Sequence, residues 1–137
     1  MDGAIHRAAG PELLEECRTL GGCRTGSAKI TKGYNLKASF VIHAVGPVYH
    51  GRDTDAELLA SCYTASLELA VGHGCRSVAF PCISTGVYGY PLEDACNIVI
   101  DTVLKWFANN DSKIDVYLCC YSDREYDTFR KILNQVG

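Results

Sequence analysis

Three apolar runs rich in β-branched residues, each followed by a stretch with helical signals, constrain the fold of this chain more than any other feature. The runs cover residues 39–45, 77–83 and 114–120. Strands that are buried on both faces have this nearly continuous apolar pattern, and parallel strands are joined by helices that cross the sheet. The alternation therefore predicts an α/β fold with a mostly parallel sheet flanked by helices.

Helix-start signals accompany the predicted strands. Residues 54–57 and 122–125 have the capping-box pattern, in which a hydroxyl side chain is followed three residues later by a glutamate. Pro91 and the acidic residues behind it favour another helix start. Nearer the amino terminus the pattern predicts a short helix, a second helix that begins at Pro11 and ends at residue 20, and a short strand over residues 28–31.

The composition is that of one ordinary globular domain. The 137 residues are 47 % hydrophobic and 21 % charged, and no apolar run approaches the ~20 residues that cross a bilayer. The first residues lack the basic and apolar regions of a signal peptide. We therefore expect a single domain over residues 1–137, located in the cytoplasm, with no membrane partner.

The net charge of −3 has the wrong sign for nucleic acid, because binding to its phosphates requires a clustered basic face. Nucleic acid is therefore not an expected partner. A bound anion is expected to be held by main-chain N–H groups rather than by a patch of lysine and arginine side chains.

The eight cysteines have two interpretations. None of them has Cys-x-x-Cys spacing, and most fall within apolar runs, which predicts buried, reduced thiols. A zinc site is the competing interpretation, although His73 and Cys75 are too close in sequence for a standard ligand pair. The apolar surroundings favour the thiols, so no metal site is predicted.

The loop over residues 84–91 carries the clearest chemical signal. It joins a predicted strand to a helix start and contains Gly86 and Gly89, which allow the main chain to approach a ligand closely. Unpaired N–H groups at a helix start attract anions, so the pattern is typical of a phosphate-binding loop. An ordinary turn is the alternative. The ring of Tyr88, beside two glycines, has no core to fill and favours covering a ligand.

Further candidate side chains each have an ordinary structural alternative. Asp2 precedes a short helix, and its carboxylate either caps this helix or takes part in catalysis. His6 follows one turn later. Tyr121 ends the third predicted strand, where its ring either stacks on a base or fills the core. His43 lies inside a predicted buried strand and is interpreted as a core histidine. The residues alone leave these alternatives open.

Three segments resemble a known family in their order and separation. They are DGAIHRAAGP at residues 2–11, VIHAVGP at residues 41–47 and FPCISTGVYGYP at residues 80–91. Together they are similar to a macrodomain of the ADP-ribosyl-hydrolase branch. The resemblance implies a three-layer macrodomain-like fold and an ADP-ribose site. It also implies removal of ADP-ribose from acidic protein side chains or deacetylation of O-acetyl-ADP-ribose.

The resemblance implies a role for each candidate residue. Asp2 matches the carboxylate that activates or orients the attacking water, with His6 near it. Tyr121 matches the aromatic position beside the adenosine, and Tyr88 lies against the phosphates and the proximal ribose. The branch requires no metal or cofactor, and its ligand is ADP-ribose or an ADP-ribosylated protein. The resemblance implies that main-chain amides of the loop from Ser84 to Tyr88 hold the diphosphate; the ligand-binding residues of this loop are Ser84, Thr85, Gly86, Val87, Tyr88 and Gly89.

The match to the family starts after an upstream segment that its members carry. That segment supplies an acidic adenine partner, an Asn-Ala-Ala-Asn loop and a poly-glycine loop, so we expect the chain to be N-terminally truncated relative to the family. Strands missing from the sheet leave an edge and apolar faces uncovered, which predicts a two-fold homodimer. Two alternatives to a hydrolase follow: an inactive module that binds ADP-ribose or phosphate, or a structural remnant that oligomerises.

Overall fold

The computed structural model describes the main chain of residues 2–86 and 88–136, and the side chains of residues 2 and 136 lie outside this description. Within these ranges the chain forms five helices and four strands. No helix in this part of the chain is both long and apolar enough to span a membrane. In chain order the elements are α1 (Asp2–Ala9), α2 (Pro11–Thr19), β1 (Ala28–Lys32), β2 (Phe40–Ala44), α3 (Asp53–Gly72), β3 (Ser77–Phe80), α4 (Leu92–Asn109), β4 (Asp115–Leu118) and α5 (Asp123–Val136).

The strands form two ladders of two strands each among the described residues. β1 and β2 pair antiparallel, with Ile30 opposite Ile42, and β3 and β4 pair parallel, with Phe80 opposite Leu118. α4 connects the parallel pair, as predicted for a crossover. The antiparallel pair differs from the expected parallel arrangement, because the connection between β1 and β2 is too short for a crossover helix and makes a hairpin instead.

The capping box predicted at residues 54–57 is wrong in register. α3 begins at Asp53, and the residue before it is Arg52. The carboxylate of Asp55 accepts the Arg52 N–H at 3.1 Å. Asp55, which lies two residues before the predicted Glu57, therefore makes the reciprocal bond and moves the helix start toward the amino terminus.

The capping box predicted at the start of α5 is confirmed in one of its two bonds. The Oγ of Ser122 accepts the N–H of Glu125 at 3.2 Å, and the Glu125 carboxylate accepts the N–H of Tyr121 at the same distance. The first bond satisfies a donor that a helix start leaves unpaired, whereas the second goes to the residue before the cap instead of to Ser122. They also fix the turn between β4 and α5.

The hydrophobic core lies between three helices, α3, α4 and α5, and the ladder of β3 and β4. Its fully buried members include Tyr63 and Leu67 of α3 and Val99 of α4. α3 packs against α4, and α4 packs against α5. This packing fixes β3 and β4, and with them the starts of the loops that follow these strands.

The strands are less buried than their apolar runs predict. Along β4 the side chains alternate between exposed and half-buried, and Tyr117 is 58 % exposed. The alternation arises because only one face of the β3–β4 ladder packs on the core. The expectation of strands that are buried on both faces is therefore wrong for β4.

All eight cysteines are free thiols, as predicted. Their predicted burial is only partly right, because Cys62 and Cys96 are buried, five others are half-buried and Cys119 is exposed. Cys119 follows the alternation of β4 and falls on its outer side. No group of three or more metal-ligating side chains in the described ranges is arranged to hold a metal ion.

Candidate ligand-binding site

Two loops meet at the carboxyl ends of β2 and β3. We call residues 45–52 the β2 loop and residues 81–91 the β3 loop. They approach so closely that a Cβ atom at Gly46 would collide with the side chain of Ser84. Across the same contact, the N–H of Tyr49 donates to the carbonyl oxygen of Tyr88 at 2.9 Å. A side chain at position 46 would therefore force the two loops apart.

The β3 loop is closed by hydrogen bonds within itself. The Ser84 carbonyl accepts the N–H of Tyr90 at 2.9 Å, and the Gly86 carbonyl accepts the N–H of Gly89 at 3.0 Å. Among the described residues of the loop, two lie in the left-handed region, Ser84 with a φ of 68° and Gly89 with a φ of 75°. Glycine adopts this conformation freely, whereas at Ser84 it is strained and must be held by the surrounding contacts.

Some polar groups of the β3 loop have no partner in the described part of the chain. They are the N–H groups of Ser84, Gly86 and Tyr88, and the solvent-shielded Oγ of Ser84. The N–H and the Oγ of Thr85, in contrast, both point to the carbonyl of Cys82, at 3.4 and 2.9 Å. Unpaired N–H groups on a tight loop before a helix form an anion-binding concavity. The β3 loop can therefore donate hydrogen bonds to phosphate oxygens.

Tyr63 supports the start of the β3 loop from inside the core. Its side chain is fully buried, and its hydroxyl donates to the Pro81 carbonyl at 3.2 Å and accepts the Ile83 N–H at 3.3 Å. Its ring packs on Phe80 with the ring centroids 4.8 Å apart. Burial raises the pKa of the Tyr63 phenol, so the hydroxyl keeps its proton and remains a donor.

We expect Tyr63→Phe to lower the free energy of unfolding by about 1–3 kcal/mol, because two main-chain groups of half-buried residues lose their partner. Denaturant unfolding followed by circular dichroism measures this change. Tyr126→Phe is the control, since the side chain of Tyr126 is 52 % exposed. If both variants unfold within about 0.5 kcal/mol of the parent, the bridging role of the Tyr63 hydroxyl is wrong.

A buried carboxylate holds the β2 loop. Asp55, in the first turn of α3, is fully buried, and its Oδ2 accepts the N–H groups of His50 and Arg52 at 2.7 and 3.1 Å. The bond from the His50 N–H is the main cause that lowers the pKa of Asp55 below its ordinary value. Sequence analysis did not identify Asp55 as part of the site. The available signal was an acidic residue in the first turn of a helix, which is common.

Tyr121 lies at the same end of the β3–β4 ladder as the β3 loop. The Cys119 N–H donates to the Phe80 carbonyl at 2.8 Å, which extends the parallel ladder beyond β4. The prediction that Tyr121 ends the strand is wrong, because β4 ends at Leu118. Its side chain is 70 % exposed. This exposure excludes the core-filling alternative, and stacking on a base stays a prediction.

The two predicted catalytic residues are on or at the start of α1. His6 is half-buried, and α1 packs against α2. The side chain of Asp2 and the whole of Val87 lie outside the described residues. The roles expected for Asp2, His6 and Val87 therefore stay predictions.

The chain is similar to known proteins along most of its length. The family model described as "Macro domain" matches residues 1–99. A macro domain-containing protein of Chlorobaculum tepidum is 61 % identical, over 97 % of this chain and 78 % of its own length. The ADP-ribose glycohydrolase MACROD2 of Xenopus laevis is 51 % identical over 98 % of this chain, which spans 33 % of that longer protein.

A solved structure shows the same fold. The Trypanosoma brucei macrodomain in complex with ADP-ribose matches with a TM-score of 0.89 and 44 % sequence identity, over 96 % of this chain and 56 % of its own. The chain therefore belongs to the macro domain family. Its fold is the macrodomain fold, an α/β fold in which helices flank a small sheet, and the resemblance of the three sequence segments is confirmed.

Proposed function

We propose that this chain binds ADP-ribose and that the β3 loop holds the diphosphate. The observation that carries the proposal is the set of unpaired N–H groups of Ser84, Gly86 and Tyr88 on an open loop before α4. Such groups satisfy phosphate oxygens without a cationic side chain, which fits the net charge of −3. Two of the similar proteins support this ligand over other diphosphates, since MACROD2 is named an ADP-ribose glycohydrolase and the Trypanosoma brucei macrodomain is in complex with ADP-ribose.

The proposed reaction is hydrolysis of ADP-ribose from acidic protein side chains, or of the acetyl group from O-acetyl-ADP-ribose. Asp2 activates or orients the attacking water, with His6 near it, and Tyr121 lies beside the adenosine. Water attacks the ester and one ester C–O bond breaks, so the products are a free carboxyl group and a hydroxyl group on ADP-ribose, with no change of oxidation state. The support is the activity in the name of MACROD2, an ADP-ribose glycohydrolase, of which this chain spans 33 %.

Two successive measurements test the proposed function. Titration calorimetry with ADP-ribose tests binding, and release of ADP-ribose from a protein modified on glutamate or aspartate tests hydrolysis. Binding with turnover supports the hydrolase. Binding without turnover supports the inactive binding module instead, and the absence of binding overturns both.

A second copy of the chain is the proposed protein partner besides an ADP-ribosylated substrate. Among the described residues the outer edge of β4 is unpaired, and an apolar groove of about 640 Å³ lies between β4, α4 and α5. An open strand edge beside an apolar groove is suited to pairing with another chain. Four large side chains of the groove are between 46 and 58 % exposed: Leu104, Tyr117, Tyr126 and Leu133.

Surface area and charge support the same partner. The chain exposes 8520 Å², which is about 1,500 Å² more than expected for a compact monomer of its size. A standard interface buries about 800 Å² on each partner. The groove also contains Asp115 and Arg130, opposite charges that a two-fold axis can pair across an interface.

We expect the parent chain to elute from size exclusion as a dimer of its 14.9 kDa chain and Leu133→Glu to elute as a monomer. A carboxylate in the groove would be buried without a partner, which disfavours association. Leu14→Glu is the matched control, because Leu14 is also 46 % exposed but lies on α2, outside the groove. Light scattering gives the mass. A parent chain that elutes as a monomer would overturn the proposed dimer, even if another protein binds in the groove.

The cytoplasm is the proposed location, and residues 1–137 are the proposed extent of a single domain. Eight free thiols favour a reducing compartment. One core cluster draws on residues from Leu59 to Ile132, and α3 also contacts β1 and β2. These contacts favour one folding unit.

A further inference from the structure

We propose that Asp55 is a positioning residue for the β3 loop: its buried carboxylate fixes the β2 loop, and the β2 loop in turn fixes the course of the β3 loop. The inference rests on the proposed function only for the identity of the ligand. Contacts between described residues connect Asp55 to the β3 loop in two steps.

In the first step the Asp55 carboxylate fixes the end of the β2 loop by accepting hydrogen bonds from it. The two donors to Oδ2 are the N–H groups of His50 and Arg52, on either side of Gly51. Gly51 has a φ of 72°, so the loop turns sharply at this residue. The guanidinium of Arg52 lies 3.6 Å from Oδ1, which is an ion-pair separation, and Oδ1 accepts no hydrogen bond from the described residues, so the two main-chain donors to Oδ2 carry the contact. A fully buried carboxylate needs such donors, and the end of the β2 loop therefore has one favoured conformation.

In the second step the β2 loop holds the β3 loop. Tyr49, the neighbour of His50, donates its N–H to the Tyr88 carbonyl, and its ring packs on that of Tyr90 with the centroids 4.9 Å apart. Tyr90 is buried, and its own N–H holds the carbonyl of Ser84. Tyr88 is thus bonded to Tyr49 directly, and Ser84 is connected to Tyr49 indirectly, through the hydrogen bond and the ring of Tyr90.

A purely structural role for Asp55 is the alternative, since a negative charge in the first turn stabilises any helix. Asp53 separates the two roles. It is an exposed carboxylate in the same turn of α3 and supplies the same charge to the helix. A variant of Asp53 therefore removes the helix effect alone, whereas a variant of Asp55 also removes the acceptor of the β2 loop.

Amide hydrogen exchange without ligand is the first test. We expect Asp55→Ala to accelerate exchange at Tyr49 and Tyr90 by at least about tenfold, because the loop loses its acceptor. Asp55→Asn should have an intermediate effect, since a neutral acceptor is weaker than a carboxylate. Asp53→Asn should have none. If Asp55→Ala does not fold, Asp55→Asn decides alone. Exchange within about twofold of the parent in the folded variants would overturn the proposal.

Calorimetry with ADP-ribose is the second test, at a temperature where every variant is folded. We expect affinity to fall about tenfold in Asp55→Ala and to stay at the parent value in Asp53→Asn, because a loosened loop loses its preorganised N–H groups. Equal affinity in all folded variants would overturn the positioning role. If the parent itself does not bind ADP-ribose, the proposed function fails, and the exchange experiment still decides the role of Asp55.

Discussion

Gly86→Glu is expected to abolish measurable binding of ADP-ribose while leaving the thermal unfolding of the chain unchanged. The fold tolerates the change because a Cβ atom at Gly86 meets nothing within 4 Å and its φ lies outside the left-handed region. The new carboxylate would stand among the N–H groups that are expected to hold the diphosphate, where it occupies the space and repels the phosphates. Titration calorimetry measures the loss.

Gly72→Glu is the matched control for this experiment. A Cβ atom at Gly72 also meets nothing within 4 Å, so the two variants add the same charge in equally open positions. Gly72 is the last of the 20 residues of α3, about 30 Å along the helix from the β2 loop. Affinity of Gly86→Glu within about threefold of this control would show that the β3 loop is an ordinary turn.

Asp2→Ala is expected to lower the turnover of an ADP-ribosylated protein by at least ~100-fold, which is the range that a general base contributes. Affinity for ADP-ribose should stay close to that of the parent, because the diphosphate is held elsewhere. A metal chelator should change little, since the proposed chemistry uses a carboxylate and water. Single-turnover release of ADP-ribose gives the rate of the chemical step.

Glu15→Ala is the control for Asp2→Ala, because Glu15 is an exposed carboxylate on α2, the helix beside α1. Its turnover should equal that of the parent. Turnover that survives Asp2→Ala would remove Asp2 from the mechanism. Turnover that is lost with the chelator would show that a metal ion takes part.

Local sequence patterns predict the helices and strands of this fold well. They predict less well which strands pair and which faces are buried. The runs that became β3 and β4, and the capping box at Ser122, depend on residues within a few positions of each other, so the sequence carries them directly. The antiparallel pairing of β1 with β2 and the exposure of Tyr117 depend on what packs against each strand. No local pattern states which face of a ladder is covered.

The candidate site shows the same division. Two glycines and a helix start predict the β3 loop, and the unpaired N–H groups of Ser84, Gly86 and Tyr88 support its proposed role, which stays a prediction. Asp55 was missed because its importance arises from a turn at Gly51 that brings main-chain donors onto it. In the sequence it is one acidic residue among several at helix starts. Only the folded chain distinguishes it from Asp53.

The contact between Gly46 and Ser84 has a consequence for the rate of ligand capture. Loops that pack this tightly cannot close over a ligand independently, so the N–H groups at Gly86 and Tyr88 are in place before the ligand arrives. No slow ordering step then separates encounter from binding, and loop closure should not limit the association rate. Differences in affinity among ligands of this site would then arise from their dissociation rates.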